Sequence, residues 1–205
     1  LKTGWQKVAV IPPASLQKSE PEISLALGAI AKGYGVDALS AIMNDAGYED
    51  WYAEIGGEVA VQGLNAAGGP WRIGIQFPSM TLNNHELYGI LNITNGAVAT
   101  SGDYRNYISV DDVIYSHILD PRTGRAVLSD TASVTVYAAD CTEADAVATA
   151  LFVMGADEGL NWVEQLPGIE AMFLLRDDRG AIKDRFSSGF ASATGYIPVD
   201  NANGH

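Results

Sequence analysis

Hydrophobic positions along this chain recur in short runs that are rich in β-branched and aromatic residues, the pattern expected of β-strands. Strands are predicted at 7–12, 50–55, 58–62, 71–76, 86–94, 104–110, 113–119, 133–138, 170–176 and 181–186. Asp111 and Asp112 separate two of these runs and predict a hairpin. The polar stretch from Pro12 to Ser24 is expected to be a loop.

Helical periodicity is limited to a few segments. Apolar residues recur every three to five positions at Ile30, Tyr34, Leu39, Ile42 and Met43, which predicts a helix that stops at 44–47. Two further helices are predicted at 142–154 and 157–165.

Two glycines in the first predicted helix each cost about 1 kcal/mol relative to alanine. Gly33 and Gly35 therefore indicate a close approach to the backbone or a break near Gly28, with tight packing against a sheet as the structural alternative.

The order of elements, many strands with few clustered helices, favours an α+β fold with largely antiparallel sheets over repeating βαβ units. A chain of 205 residues that is 47% hydrophobic can bury a real core. We therefore expect a single domain over 1–205, with 201–205 as a disordered tail.

The charge balance limits the partners. The chain has 25 acidic and 12 basic residues and a formal charge of -13, with the basic residues scattered, so nucleic acid is not an expected partner. An anionic dinucleotide would need a local positive centre such as Mg²⁺ or Lys32. The one cysteine, Cys141, excludes an intrachain disulfide, and no apolar run approaches the roughly 20 residues of a transmembrane helix.

One stretch carries a histidine next to a turn. Pro121 restricts φ and disfavours helix at Asp120, and Gly124 tolerates a positive φ, so residues 120–124 are predicted to form a rigid loop. This loop would present His117 from the end of the preceding strand. A single histidine at a strand end is often structural, whereas one beside a reacting hydroxyl can act as a general base.

Asp145 and Thr149 lie four residues apart on the second predicted helix, so their oxygens share one helix face. Two such oxygens suit a hard cation such as Mg²⁺. The structural alternative is that Asp145 caps a helix or interacts with its dipole while Thr149 has no special role. As a ligand, Asp145 is expected on an exposed, site-facing side of its helix.

Six ordered motifs resemble the ApbE family of FAD:protein FMN transferases. They are residues 27–37 (LGAIAKGYGVD), 55–58 (IGGE), 70–75 (PWRIGI), 99–104 (ATSGDY), 116–124 (SHILDPRTG) and 145–150 (DAVATA). The resemblance implies an ApbE-like, T-fold-related architecture without the family's N-terminal portion, which completes the flavin pocket. The chain begins at Leu1 without a signal-peptide pattern, and the resemblance favours removal of a longer N-terminal stretch.

The resemblance also implies roles for individual residues. It gives Asp145, Thr149 and the main-chain carbonyl of Ala29 as Mg²⁺ ligands, and His117 as the catalytic base or acid. The residues implied to contact FAD are Lys32, Ser101, Gly102 and Leu119.

Two positions keep alternatives open. Residues 100–103 also have the composition of an ordinary turn. Ala26 occupies a position where family members usually carry an Asp that contacts the nucleotide, and alanine cannot accept that hydrogen bond.

The implied reaction is Mg²⁺-dependent transfer of FMN from FAD to a Thr or Ser hydroxyl, with release of AMP. The implied acceptors are flavin-carrying subunits of membrane redox complexes in the bacterial periplasm or at the outer face of the inner membrane. Two alternatives remain from the sequence: a Mg²⁺-dependent FAD pyrophosphatase, and a non-catalytic flavin-binding or partner-binding module or inactive fragment.

Overall fold

A computed structural model describes residues 4–79, 86–103, 107–110, 113–116 and 118–199 of the chain. The predicted tail at 201–205 and the Asp111-Asp112 turn lie outside the described residues. Within them, the α-helices are α1 (Ala31–Asp45), α2 (Cys141–Met154), α3 (Ala156–Val163) and α4 (Phe190–Thr194). A 3₁₀ turn covers Trp5–Lys7. No described helix is long and apolar enough to cross a membrane.

The strands are β1 (Val8–Ile11), β2 (Ser15–Lys18), β3 (Trp51–Ile55), β4 (Glu58–Gln62), β5 (Trp71–Gln76), β6 (Leu87–Ile93), β7 (Asn95–Gly102), β8 (Tyr107–Val110), β9 (Val113–Ser116), β10 (Leu119–Asp120), β11 (Arg125–Ala126), β12 (Thr131–Ala138), β13 (Glu170–Arg176), β14 (Ile182–Phe186) and β15 (Ile197–Pro198).

The central sheet has the order β14-β13-β12-β7-β4-β3, and every neighbouring pair in it is antiparallel. A second antiparallel sheet has the order β15-β6-β5. These two sheets and the helices confirm the predicted α+β class with antiparallel sheets. The predicted hairpin of β8 and β9 is also confirmed, because the two strands pair antiparallel.

The central sheet is buried on both faces. On β13, Ala171 and Phe173 pack against the cluster that includes α2 and α3, whereas Met172 and Leu174 pack against the β5–β6 side. This alternation follows from the two-residue period of a strand. The molecule is therefore layered as helices, central sheet, and small sheet with α4.

The strand β7, near the middle of the central sheet, is not predicted by the sequence pattern. It pairs with both β4 and β12 and includes Ser101 and Gly102, so the interpretation of residues 100–103 as an ordinary turn is wrong for 100–102. Five of its eight residues are Gly, Ala or Asn, residue types that are depleted in strands. Neighbouring strands on both sides impose the extended conformation. The predicted loop at 12–24 likewise contains β2, which pairs with β1.

Helix α1 forms where it is predicted, but it buries a different face. Tyr34 and Ile42 are 69% and 62% exposed, while the buried residues of α1 are Gly33 and Val36. The face of α1 that carries the smallest side chains points inward, because α1 packs closely on α2. The close approach predicted at Gly33 is therefore real, and its partner is helix α2. At Gly35 the alternative of tight packing against a sheet is confirmed, because an added Cβ would lie 2.8 Å from Ile55 Cδ1 in β3.

Candidate active site

A cavity of about 560 Å³ opens between the start of α1, the end of β7 and the middle of α2. Every described residue that the sequence analysis assigns to flavin or metal binding lines it. The lining consists of Ala26, Gly28, Ala29, Lys32, Thr100, Ser101, Gly102, Ile118, Leu119, Asp145 and Thr149. Residues from four separated segments are thus brought to one site.

The junction of α1 and α2, which we call the floor, adjoins this cavity and is formed by Gly33, Asp37, Cys141 and Asp145. Of these four residues, Asp145 lines the cavity itself. A Cβ added to Gly33 would overlap the carbonyl oxygen of Cys141 and would lie 2.9 Å from Asp145 Cβ. The two helices can approach this closely only because residue 33 has no side chain.

Each helix supplies a carboxylate to the start of the other. Asp145 Oδ2 accepts a hydrogen bond from the Gly33 N–H at 3.0 Å, in the first turn of α1. Asp37 accepts the N–H groups of Cys141 and Thr142, each at 2.8 Å, in the first turn of α2. The residue before α1, Ile30, has no capping side chain, so Asp145 provides this cap from across the junction.

Asp145 is only 3% exposed, so the expectation that it lies on an exposed side of its helix is wrong. Its burial follows from the close helix packing and from the hydrogen bond that it accepts. The carboxylate nevertheless lines the cavity. The structural alternative from the sequence, that Asp145 caps a helix, is correct, but the helix that it caps is α1 and not its own helix α2.

The wall beside Asp145 is formed by β7 and the next turn of α2. The hydroxyl oxygens of Ser101 and Thr149 lie 3.0 Å apart and form a hydrogen bond. Thr149 is one helical turn after Asp145, so both oxygens face the same space, as the spacing predicts.

Lys32 lines the cavity and forms an ion pair with Glu58 at the start of β4. Glu58 is only 1% exposed. Burial is the largest cause that raises the pKa of Glu58 above its ordinary value, although Lys32 acts in the opposite direction and Asp145 reinforces the rise. The sequence assigned no role to Glu58, although it is the last residue of the 55–58 motif and a charged residue at the start of an apolar strand.

The rim of the cavity consists of Ala26, Gly28 and Ala29 on one side and of Ile118 and Leu119, just before the turn at 120–124, on the other. Ala26 and Gly28 are exposed, and Leu119 is 60% exposed. The predicted loop after Asp120 is present as a turn between β10 and β11, in which the Gly124 N–H donates to the Asp120 carbonyl at 2.7 Å and Gly124 has φ 70°. His117 lies outside the described residues, so its place relative to the cavity stays a prediction.

The chemistry of the lining fits a magnesium ion. A carboxylate from Asp145, a hydroxyl from Thr149 and the backbone of Ala29 border the same space, and all are oxygen donors of the hard type that Mg²⁺ prefers. The described residues contain no group of three or more His, Cys, Asp or Glu side chains placed to hold a metal. An ion here would therefore take its other ligands from backbone, water or substrate oxygens.

The buried thiol of Cys141 at the floor has no role in this chemistry. Burial is the largest cause that raises its pKa, to about 12, and the neighbouring carboxylates add to the rise. A thiol with so high a pKa is a poor nucleophile near neutral pH.

Comparison with known proteins gives consistent results. The profile of the ApbE family matches residues 1–173. A Vibrio cholerae protein named FAD:protein FMN transferase is 42% identical over 176 residues, which are 86% of this chain and 52% of that protein. The Escherichia coli K12 protein of the same name is 34% identical over 194 residues, 93% of this chain and 54% of that protein. The chain thus spans about half the length of these curated relatives.

Solved structures agree with the sequence matches. The flavin transferase ApbE from Vibrio cholerae superimposes with a TM-score of 0.80 at 38% identity, over 92% of this chain and 58% of that one. The ApbE protein from Thermotoga maritima gives a TM-score of 0.79 at 34% identity, over 94% of this chain and 60% of that one.

Proposed function

This chain belongs to the ApbE family, and from that premise we propose that it carries the catalytic portion of a flavin transferase. The reaction is transfer of FMN from FAD to a Thr or Ser hydroxyl of a target protein, with release of AMP. The observation that carries this proposal is the single cavity that gathers Lys32, Ser101, Gly102, Asp145 and Thr149. Relatives named FAD:protein FMN transferase support it.

The chain's own residues have distinct tasks in this proposal. The Lys32 ammonium donates hydrogen bonds to phosphate oxygens of FAD, and Ser101 and Gly102 border the bound flavin nucleotide. Asp145, Thr149 and the Ala29 carbonyl are the residues that would hold Mg²⁺. When bound, Mg²⁺ neutralises negative charge that develops on the transferred phosphoryl group and on the leaving AMP.

His117 is proposed to accept the proton of the attacking hydroxyl. The acceptor oxygen forms a bond to the phosphorus of the FMN half, the bond from that phosphorus to the AMP oxygen breaks, and the proton moves to the imidazole. The proposed acceptors are flavoprotein subunits of membrane redox complexes, in the periplasm or at the outer face of a bacterial inner membrane.

Hydrolysis is the alternative that the open rim favours. Ala26, Gly28 and Leu119 are exposed, so water can reach the cavity in the described structure. A water molecule in place of the acceptor hydroxyl would make the protein a FAD pyrophosphatase that yields FMN and AMP.

The discriminating experiment incubates the chain with FAD and Mg²⁺, with and without a flavin-acceptor domain, and follows AMP together with the acceptor's mass. Transfer predicts a mass gain on the acceptor by one FMN group and AMP release that depends on the acceptor. FMN release that is unaffected by the acceptor would support the pyrophosphatase. Absence of both products, with FAD bound, would support a non-catalytic flavin-binding module.

Substitution of His117 tests its proposed role as the general base. His117→Asn should lower the transfer rate by about 10²- to 10⁴-fold while FAD binding changes little. The wild-type rate should fall as the pH drops through the pKa of a histidine, ordinarily about 6.5. A flat profile between about pH 5 and 8, together with a fully active variant, would remove His117 from the mechanism.

A further inference from the structure

We propose that Glu58 is a positioning residue, which fixes the ammonium of Lys32 at the cavity wall so that it can meet the diphosphate of a dinucleotide. This inference rests on the proposed function only in taking FAD as the ligand. Neither the sequence pattern nor the magnesium ligands account for a buried carboxylate at this position.

Glu58 follows directly on a tight turn between β3 and β4. Gly56 and Gly57 have φ values of 61° and 101°, which place the carboxylate at the start of β4, where it is 1% exposed. A Cβ added to Gly56 would lie 3.4 Å from Lys32 Cδ and 3.9 Å from Glu58 Oε2. The turn therefore leaves the space through which the stem of Lys32 reaches Glu58.

The pairing is asymmetric. Glu58 Oε1 accepts from the Lys32 ammonium, whereas Oε2 is buried and has no hydrogen-bond partner in the part of the chain that is described. A buried carboxylate that loses its only cationic partner is strongly disfavoured. Lys32 is consequently held to Glu58, and a long side chain that would otherwise sample many rotamers is restricted.

Lys32 still has hydrogen-bond capacity for a ligand. An ammonium carries three N–H donors, and among the described residues the one hydrogen bond of the Lys32 ammonium goes to Glu58. The Lys32 side chain is 43% exposed and borders the cavity, so its other donors are available there.

Because Glu58 compensates the charge of Lys32, recognition of the diphosphate would depend on where the donors are held more than on net positive charge. An amide in place of the carboxylate keeps an acceptor for Lys32, whereas an apolar side chain does not. The two kinds of substitution should therefore affect FAD binding differently.

The test measures equilibrium binding of FAD and of riboflavin, which lacks phosphate, to the full chain by calorimetry in the presence of Mg²⁺. Glu58→Met should weaken FAD binding by about 10- to 100-fold, the scale of one lost charged hydrogen bond, and leave riboflavin binding unchanged. Glu58→Gln should stay within about 3-fold of wild type, because its amide oxygen still holds Lys32. Glu20→Met, at the Lys7–Glu20 ion pair away from the cavity, is the matched control and should bind both ligands normally.

A second pair of variants tests whether Glu58 acts through Lys32. With Lys32→Met in both backgrounds, Glu58→Gln and Glu58→Met should bind FAD equally. Glu58→Leu replaces Glu58→Met if the latter does not give a cooperative unfolding transition.

Equal FAD affinity of wild type and Glu58→Met would overturn the inference, as would equal losses for FAD and riboflavin or a Gln-to-Met difference that persists without Lys32. A wild-type chain that binds no FAD would instead contradict the proposed function.

Discussion

The floor and the rim of the cavity are built in contrasting ways. At the floor, Gly33 and Asp145 are buried, and the two helices meet through backbone contact and hydrogen bonds between side chain and backbone. At the rim, Ala26, Gly28 and Leu119 are exposed. At the floor, Asp145 therefore serves both the fold and the proposed chemistry, whereas the rim residues can contribute to binding with little effect on stability.

The largest difference between floor and rim is expected when one methyl group is added to a glycine in each of them. Gly33→Ala should destabilise the protein by about 3 kcal/mol or more, because the new Cβ overlaps the Cys141 carbonyl, which is backbone and cannot rotate away. Gly28→Ala is the matched control: no atom of the described residues lies within 4 Å of its added Cβ, and the free energy of unfolding should change by less than about 0.5 kcal/mol. Denaturant unfolding measures both, and equal effects would show that the floor is not tightly packed.

Asp145 separates the two roles of the floor. Asp145→Ala should cost about 1–3 kcal/mol, because it leaves the buried Gly33 N–H without an acceptor. Asp145→Asn keeps an amide oxygen for that N–H and should be clearly more stable than the alanine variant. Both variants should lose Mg²⁺-dependent turnover if the carboxylate is a metal ligand. Full stability of Asp145→Ala would show that the cross-junction cap is unimportant.

Glu58, which is buried beside the cavity, should make the free energy of unfolding depend on pH. Its pKa is raised in the folded chain, chiefly by burial, so its contribution to stability is fully present below its ordinary pKa of about 4.5 and is lost as the pH rises through the folded value. The Glu58→Gln variant does not lose stability in this way, because an amide does not titrate. The stability of the variant relative to wild type should therefore be constant below about pH 4.5 and rise as the pH increases above that value. A relative stability that falls with rising pH would mean that pairing with Lys32 outweighs burial.

The smallest effect on stability is expected at the rim. Leu119→Ala should change the free energy of unfolding by less than about 0.5 kcal/mol, because the side chain is 60% exposed, yet weaken FAD binding several-fold through lost apolar contact. Leu16→Ala, 55% exposed on β2, is the control and should change neither quantity. Unaltered FAD affinity in Leu119→Ala would remove this residue from the proposed flavin contacts.

The local pattern of apolar residues predicted those helices and strands whose own side chains are apolar at the buried positions. β4, β5 and β13 begin and end where their apolar runs do, and α2 begins one residue before its predicted start. β7 was missed because its Gly, Ala and Asn residues are uncommon in strands, and its extended conformation comes from pairing with β4 and β12 on its two sides. The buried face of α1 was mispredicted for a related reason: a glycine that packs against another helix has no hydrophobic side chain to reveal it.

The site shows the same division. Spacing alone could place Asp145 and Thr149 on one helix face, and the family motifs could associate them with Lys32, Ser101 and Gly102. Neither could show that Asp145 is buried beneath Gly33, since that depends on a contact between residues 112 positions apart. Glu58 was missed for the same reason, because its partner Lys32 lies on another element, 26 residues earlier.

The exchange of caps between α1 and α2 also bears on how the molecule opens. Because Asp37 completes the first turn of α2 and Asp145 completes the first turn of α1, fraying of either helix start removes a hydrogen bond from the other. The two turns should therefore open as one cooperative unit despite their distance along the chain. In native-state hydrogen exchange, the amides of Gly33 and Cys141 should share one opening free energy, and this unit could form only after a loop of more than 100 residues has closed.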